Sequence, residues 1–487
     1  MLSTRPLPII DPNTAPAAAK VDESRPAAAR AQVGRWWRAV PYAWGAVLAA
    51  VYSVLSLTRF ASLSTPSWDN AIFQQAIAGY AHLRAPIVDI KGPGYNILGD
   101  HFSPILAVLA PVYRLFPTAQ TLLIAQAVLI AGSVVPITRA AMTRLGLAGG
   151  SAVGVAYGVS FGIQSAVYTD FHEMAFAAPL IAFAGAAYLR RRWWQIAGWT
   201  MPLLLVKEDL GVTVAAVGVV LIFAGARKLG AALTAVGIAG CAVLLFLVIP
   251  AINRSGSFDY WSAVSFGSGG PTAWQTFFSG WDVKGPTLLL TFGITGFLAL
   301  RSPWVLVAGP TLAWRWIGTN REYWDTNWHY SLILMPIVFI AMLDGIDRIH
   351  RRPRPGWLRR YAAHVPTAAA AVALVLVLQF PLHNLLRSST YQPNPASTAT
   401  AAAAIATIPK GAVVETNMGL VTHLVSHYRV YWFTTIGSTV TPDYVLIDTH
   451  TDHDPTPVAD YAQHQHPGHH YRQIYNAGGY QVAQRTP

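Results

Sequence analysis

The sequence predicts an α-helical polytopic membrane protein that ends in a small α/β extracytoplasmic domain. Three observations predict it. The 487-residue chain is 53% hydrophobic and 11% charged, well under the roughly 25% charge of an ordinary soluble domain, and its mean hydropathy is +0.38. The ends of its apolar segments alternate in character. Trp68-Asp69-Asn70, Asp170-Phe171-His172-Glu173, Lys207-Glu208-Asp209 and Glu322-Tyr323-Trp324-Asp325 mark one set; Arg139/Arg144, Arg190-Arg191-Arg192, Arg227-Lys228 and the run from Arg348 to Arg360 mark the other. Basic loops stay in the cytoplasm, so the acidic, histidine-bearing ends are expected to face outward. Beyond residue 386 the long apolar runs give way to short β-rich ones.

Residues 1–34 are rich in Pro, Ala and scattered charge and are expected to form a disordered cytoplasmic tail. The stretch Val40 to Phe60 is too long for the apolar region of a signal peptide and reads as the first spanning helix, with Arg35 and Arg38 holding the N-terminus inside. From Ala61 to Asp100 the chain is broken by Pro66, Pro86, Gly92-Pro93-Gly94 and Gly99. Ser67 is expected to cap a helix running through Ile77, whose apolar Ile72, Phe73, Ala76 and Ile77 form one stripe, as in an interfacial helix on the outer surface. The 16-residue apolar run His101 to Phe116 is short for a span and reads as a second interfacial or re-entrant segment. If it does not cross, every strong basic cluster falls inside.

The remaining spans are read at 118–138, 150–167, 174–189, 195–206, 210–225, 230–251, 286–300, 303–318, 330–345 and 366–386, giving about 11 in a transmembrane domain of residues 35–386. The loop from Asp347 to Arg360 carries six arginines and anchors the cytoplasmic side. Residues 387–487 then lie outside. Their Ala-rich 396–407 reads as a helix, and 412–416, 429–433, 443–448 and 480–483 as strands bounded by turn residues.

Composition also excludes functions. The net charge of +12 is split into short interhelical clusters, with no nucleic-acid recognition motif, and is read as topology signal and contact with anionic membrane lipid. Cys241, the only cysteine, rules out an internal disulfide and a cysteine-based metal site. No Walker loop, dinucleotide fingerprint or nucleophile elbow is present.

The candidate chemistry lies in the outer loops. Asp69 and the Asp170/His172/Glu173 group follow different spans but emerge on the same face, so they can converge at the membrane surface. Asp69 is either a helix cap or a general base for an acceptor hydroxyl. Asp170, His172 and Glu173 place three ligating or proton-transferring groups within four residues and form the candidate site for a divalent cation, Mg or Mn. Lys207, beside Glu208 and Asp209, is either an internally neutralised helix junction or a point charge for a lipid phosphate. His101 either bonds a phosphate or caps its segment. Arg321, Glu322, Asp325 and His329 form a further outer cluster among Trp314, Trp316, Tyr323, Trp324 and Trp328, aromatics that suit an interfacial belt or a sugar face. His464, His466, His469 and His470 read as a solvated loop or as a transition-metal site.

These motifs, from Trp68-Asp69-Asn70-Ala71-Ile72-Phe73-Gln74-Gln75 through His101-Phe102-Ser103-Pro104 and Asp170-Phe171-His172-Glu173 to Lys207-Glu208-Asp209, resemble a bacterial family of predicted multispanning membrane proteins of unknown function (DUF2079-like). That family is similar in layout to the glycosyltransferase C (GT-C) superfold. The resemblance implies Asp69 as catalytic base, Asp170, with His172 and Glu173, as the second acidic motif, and a polyprenyl-phosphate sugar as donor. His101, His172, Lys207, Glu208 and Arg321 are then the donor- and substrate-binding candidates, and the acceptor is a cell-envelope molecule. The expected function is a plasma-membrane glycosyltransferase acting on the outer face. A transporter or lipid flippase is the first alternative and would need polar residues in mid-span; a non-catalytic envelope scaffold is the second. Sugar, acceptor and oligomeric state are not encoded legibly.

Overall fold

The structure, a computed structural model, describes residues 27–65, 67–263, 271–351, 353–451 and 457–487. Of the sequence landmarks above, residues 1–26 of the N-terminal tail, Pro66 and Arg352 lie outside the described residues.

Helices dominate. Helix α1 (Ala27–Ala61) leads to α2 (Trp68–Ala81), then through 3-10 turns to α3 (Ala110–Leu115), α4 (Ala119–Gly158), α5 (Phe161–Tyr168), α6 (Ala177–Leu189) and α7 (Trp193–Thr200). Next come α8 (Leu210–Phe223), α9 (Arg227–Val243), which continues through a π turn into α10 (Ile249–Ile252), α11 (Ala273–Phe278), α12 (Trp281–Gly293), α13 (Gly309–Ile317), α14 (Leu334–Arg351) and α15 (Gly356–Leu376). The C-terminal part holds α16 (Pro395–Ala406), β1 (Val413–Thr416), α17 (Val421–Leu424), β2 (Arg429–Trp432), β3 (Tyr444–Asp448), α18 (Val458–Gln465), β4 (His470–Ala477) and β5 (Tyr480–Thr486).

Among the described residues, three helical stretches are long and apolar enough to cross a membrane by themselves: Trp36–Ala61, Ala119–Gly158 and Arg227–Ile252. The expected count of about 11 is not met by that measure, and the reason is local. Segments read as single spans are assembled from short helices and 3-10 turns entered through Pro202, Pro303 and Pro310, whose rings cannot continue a helix from the preceding turn. The stretch 118–167, read as two spans, is one long helix broken at Gly146, where φ is +74°, followed by α5. The run His101 to Phe116 is a 3-10 stretch and the six-residue α3, too short for a hydrocarbon core about 30 Å thick. Apolar side chains such as Val128, Phe246, Leu247, Leu374 and Val375 point outward and exposed, which a lipid solvent accommodates and water does not.

The two charge classes sit at opposite ends of the same helices. Arg144 bonds Asp347 at 3.0 Å and the Leu189 carbonyl at 2.9 Å, joining the break in α4 to the C-terminal ends of α6 and α14. At the other ends of α6 and α14 lie Glu173 and His329. The 18 residues of α14 separate the two ends by about 27 Å at 1.5 Å per residue.

The C-terminal sheet has the order β2-β1-β3-β5-β4, with β2, β1 and β3 parallel and β5 antiparallel to both β3 and β4. The first three strands, β5 and α16 fall where the sequence places them. β4, of which only His470 falls in the expected histidine loop, is an edge strand with mostly exposed side chains, so no alternating apolar signal marks it. The β4–β5 hairpin turns on Gly478 and Gly479, both at positive φ, as the tight two-residue turn requires.

Packing of α8 on α9 positions the Lys207-Glu208-Asp209 junction, and it depends on glycine. A Cβ on Gly218 would fall 2.5 Å from Thr234 N, and one on Gly237 2.5 Å from Ala215 N. Gly218→Leu is therefore expected to push α9 off α8 and cost about 1–3 kcal/mol or more. A fall in the thermal midpoint of the detergent-solubilised protein, against an unchanged midpoint for a substitution at Gly132, which has open space around it, checks this.

Candidate functional site

Helix α2 carries Asp69 on its first turn. Ser67 stands at the N-cap position, but its side chain does not cap; Ser67 adopts φ +67°, donates its N–H to Asp170 Oδ2 at 2.9 Å and its hydroxyl to the Gly419 carbonyl at 3.2 Å. Nor does α2 lie on a surface. Ile72, Phe73, Ala76 and Ile77 are buried, and so are Asn70 and Gln74 on another face, because the C-terminal domain covers that face.

A cavity of about 310 Å³ opens beside α2, lined among others by Trp68, Asp69, Phe73, Lys91, Asp100, His101, His172, Lys207, Glu208, Asp209, Tyr260, Tyr323, His329 and Tyr330. The structure thus brings Asp69, His101, His172, Lys207 and Glu208 together from segments far apart in sequence. Glu173 lies directly behind, fully buried, with one oxygen 2.9 Å from His172 Nδ1 and the other 3.4 Å from Lys207 Nζ. Asp170 turns elsewhere: its carboxylate takes the Ser67 N–H and lies 4.0 Å from Arg59. Arg321 pairs with Asp282 on the surface, both 63% exposed, and does not line the cavity.

Several supports were invisible in the sequence. Gln126 of α4 accepts the His172 N–H at 2.9 Å and donates to the Ala166 carbonyl at 3.1 Å and to the Asp170 carbonyl, fixing the loop that carries His172. Arg315 is fully buried and donates to the carbonyls of Tyr323 and Asp325 and to Ser331 Oγ at 2.5, 2.7 and 3.2 Å, shaping the loop that presents Tyr323, His329 and Tyr330. Lys91 pairs with Asp100 and reaches Tyr260, while the Tyr260 ring stacks on His101 at 4.4 Å. Lys91 sits in the broken 61–100 region, and its position among turn residues was the one signal available.

The charges are nearly all spoken for. Glu208 holds His101 Nδ1 at 2.8 Å and the Phe102 N–H at 3.0 Å. Burial raises the Glu173 carboxyl, but His172 and Lys207 outweigh it and hold the group well below the usual range. Burial would discharge Lys207, but Glu173, Glu208 and Asp209 keep its ammonium protonated far above neutral pH. Asp69 differs. Neither of its oxygens has a hydrogen-bond partner among the described residues, and desolvation, with Glu173 nearby, raises its pKa despite the opposing pull of His172, Lys207 and Lys91. Asp209 is likewise raised, to about 6, by burial and by Glu208 against the pull of Lys207.

Asp69, His172 and His329 also form a group able to hold a metal ion: one ligand atom from each lies within 4.8 Å of the others. His172 and His329 stack at 3.6 Å between ring centroids. Buried His329 Nδ1 has no hydrogen-bond partner among the described residues, and Glu173 lies against His172 Nδ1, leaving Nε2 of His172 turned from that pair. Of the ligand set expected from sequence, Asp170, His172 and Glu173, only His172 belongs to this group. The tail histidines do not form such a group among the described residues; His466 is buried 2.6 Å from Glu415.

The family described as "Predicted membrane protein (DUF2079)" matches residues 59–486. No curated relative matches the chain. Among solved structures, ArnT from Cupriavidus metallidurans bound to undecaprenyl phosphate superposes with a TM-score of 0.53 at 14% identity, over 91% of this chain and 98% of ArnT. Apo ArnT gives 0.50 at 14% identity, over 94% and 98%. At such identity the likeness establishes the GT-C-like fold and nothing of the reaction.

Removing the Glu173 charge takes a buried counter-ion from Lys207 and a partner from His172, so Glu173→Gln should cost about 3–5 kcal/mol. The sign with pH follows from the depressed pKa. The carboxylate stabilises the fold above its unfolded value of 4.5, and the gain is lost as pH falls toward the lower folded value. The difference in thermal midpoint between wild type and Glu173→Gln should be full near neutrality and shrink below pH 4.5; a gap independent of pH would contradict the charge account.

Proposed function

The chain belongs to this DUF2079 family of predicted membrane proteins, and we propose that it is a plasma-membrane glycosyltransferase that moves a sugar from a polyprenyl-phosphate donor to a cell-envelope acceptor on the outer face. The observation that carries the reading is the unengaged Asp69 carboxylate, facing a cavity that also holds Lys207 and Lys91 and aromatic walls suited to a sugar. The fold supports it, since ArnT, which shares that fold, has been seen with undecaprenyl phosphate bound. The separation of acidic from basic helix ends, taken with the positive-inside rule, supports an outward-facing cavity and a cytoplasmic N-terminus in this reading.

In this reading Asp69 accepts the proton of an acceptor hydroxyl as its oxygen forms a bond to the anomeric carbon. The bond from that carbon to the phosphate oxygen breaks, and the polyprenyl phosphate leaves with the electron pair. Lys207, held charged, meets the phosphate both before and after the step. Desolvation suits Asp69 to the task, because a carboxylate raised above its usual 3.8 is a stronger base. A divalent cation would be held by Asp69, His172 and His329, where it would supply Lewis-acid stabilisation of the departing phosphate. Two imidazoles and one carboxylate suit Mn or another transition ion better than Mg.

Asp69→Asn keeps size and polarity but cannot take the proton, so transfer from a synthetic polyprenyl-phosphate sugar should fall about 10²–10⁴-fold with insertion and folding intact. Lys207→Ala should instead raise KM for the donor more than it lowers kcat. Full activity in Asp69→Asn would remove this residue from the chemistry. The cation can be tested without a substrate. Titration of the purified, chelator-treated protein with Co(II) should give visible ligand-field bands at one equivalent, lost in His172→Ala and in His329→Ala; bands that survive both changes would place the ion elsewhere.

A further inference from the structure

We propose that the C-terminal sheet domain is a positioning part of the cavity, holding helix α2, and with it the Asp69 carboxylate, against the membrane helices. The polar contacts run along one helix. Asn70 Nδ2 donates to Thr422 Oγ1 at 2.7 Å, Gln74 Nε2 to Ser426 Oγ at 2.9 Å and Gln75 Nε2 to the Val430 carbonyl at 3.0 Å. With Ser67 bound to the Gly419 carbonyl, four residues between Ser67 and Gln75, at the start of Asp69's helix, are tied to the turn after β1, to α17, to the turn that follows α17 and to β2. Asn70 and Gln74 are buried, and Asn70 Oδ1 and Gln74 Oε1 have no hydrogen-bond partner among the described residues. Buried amides with half their capacity unused are a poor way to glue two surfaces, since apolar side chains would hold them at lower cost. They are a good way to fix one rotation and one register.

The same domain braces the opposite wall. Thr435 Oγ1 donates to the Ile90 carbonyl at 2.6 Å, Arg429 pairs with Asp89 at 2.9 Å, and Gln75 Oε1 accepts the Ile90 N–H at 3.0 Å. These contacts set the 3-10 turn that ends in Lys91, another cavity residue. At the rim, Trp68 meets Trp432 of β2 edge to face at 4.6 Å. Where α2 begins, Ser67 and Asp170, at φ +67° and +72°, bond each other. Two non-glycine residues in the left-handed region persist only where their surroundings over-determine them, and Arg59 and Gly419 supply those surroundings from the two sides. Asp170 is in this account a positioning residue.

The inference rests on the transferase reading for its consequence and on the contacts for its substance, so the test has two arms. The full chain carries Thr422→Val and Ser426→Ala, which remove both acceptors from the domain side and touch no cavity residue. Hydrogen exchange of the α2 amides should speed up about tenfold or more, with the α4 and α14 amides unchanged. Transfer should lose about 10–100-fold in kcat with the donor KM unmoved. A chain carrying Thr422→Ser with Ser426 intact, which keeps both hydroxyls, should behave as wild type in both arms. Unchanged exchange in α2, or exchange accelerated in every helix alike, overturns the proposal. If wild type transfers no sugar from any donor, the exchange arm still decides the clamp, and the reaction is what has failed.

Discussion

Charge pairing at the rim of a low-dielectric slab is the constraint on which the site depends. Glu173 is fully buried and could not remain ionised alone, because desolvation of a lone carboxylate costs several kcal/mol. It is ionised because His172 and Lys207 approach it from two sides. Those contacts bind the loop before α6 to the junction before α8, and Glu208 binds that junction to the loop at His101 in the same manner. Three stretches more than a hundred positions apart at their extremes are thereby locked at one level of the membrane. The cavity is the space they enclose with α2 and the loop that Arg315 shapes.

Much of this was legible in the sequence, and for a definite reason. Membrane topology writes itself in composition: apolar runs, broken by clusters whose charge sign reports the side. Asp69, His101, His172, Lys207 and Glu208 were found because polar residues at the ends of apolar runs are conspicuous. They prove to line one cavity, and Asp69 reaches within 4.8 Å of His172. The C-terminal α/β domain was legible from turn chemistry and β-branched runs, as β1, β2, β3 and β5 show.

What escaped depends on partners distant in the chain. Ser67 has the chemistry of a helix cap, and local rules assign it one; a carbonyl at Gly419 takes its hydroxyl instead. Helix α2 has the stripe of an interfacial helix, and nothing local says that Asn70 and Gln74 will find Thr422 and Ser426. Asp170 and Glu173 are equivalent to any reading of a four-residue motif. One folds back toward Arg59 and the other toward Lys207. The count of about 11 spans is not confirmed for a related reason: hydropathy measures how apolar a segment is, not whether prolines cut it into short pieces.

The contrast among the carboxylates gives the site its chemical sense. Glu173, Glu208 and Asp100 each face a cation or an N–H and are held below the usual carboxylate range, which weakens them as bases; Asp170, raised to about 6 by burial, is bonded to the Ser67 N–H and turned away from the cavity. Asp69 bonds neither a cation nor an N–H among the described residues, is raised by desolvation against the opposing pull of His172, Lys207 and Lys91, and faces open space. A residue kept only to cap a helix or to neutralise a neighbour would be found bonded to that partner. A carboxylate left costly and unpartnered in a cavity fits the ligand-receiving role proposed above, and among the described residues Asp209 Oδ1 and His329 Nδ1 stand beside it without a hydrogen bond. The surrounding charges act as the frame that makes this small set of unsatisfied groups tolerable.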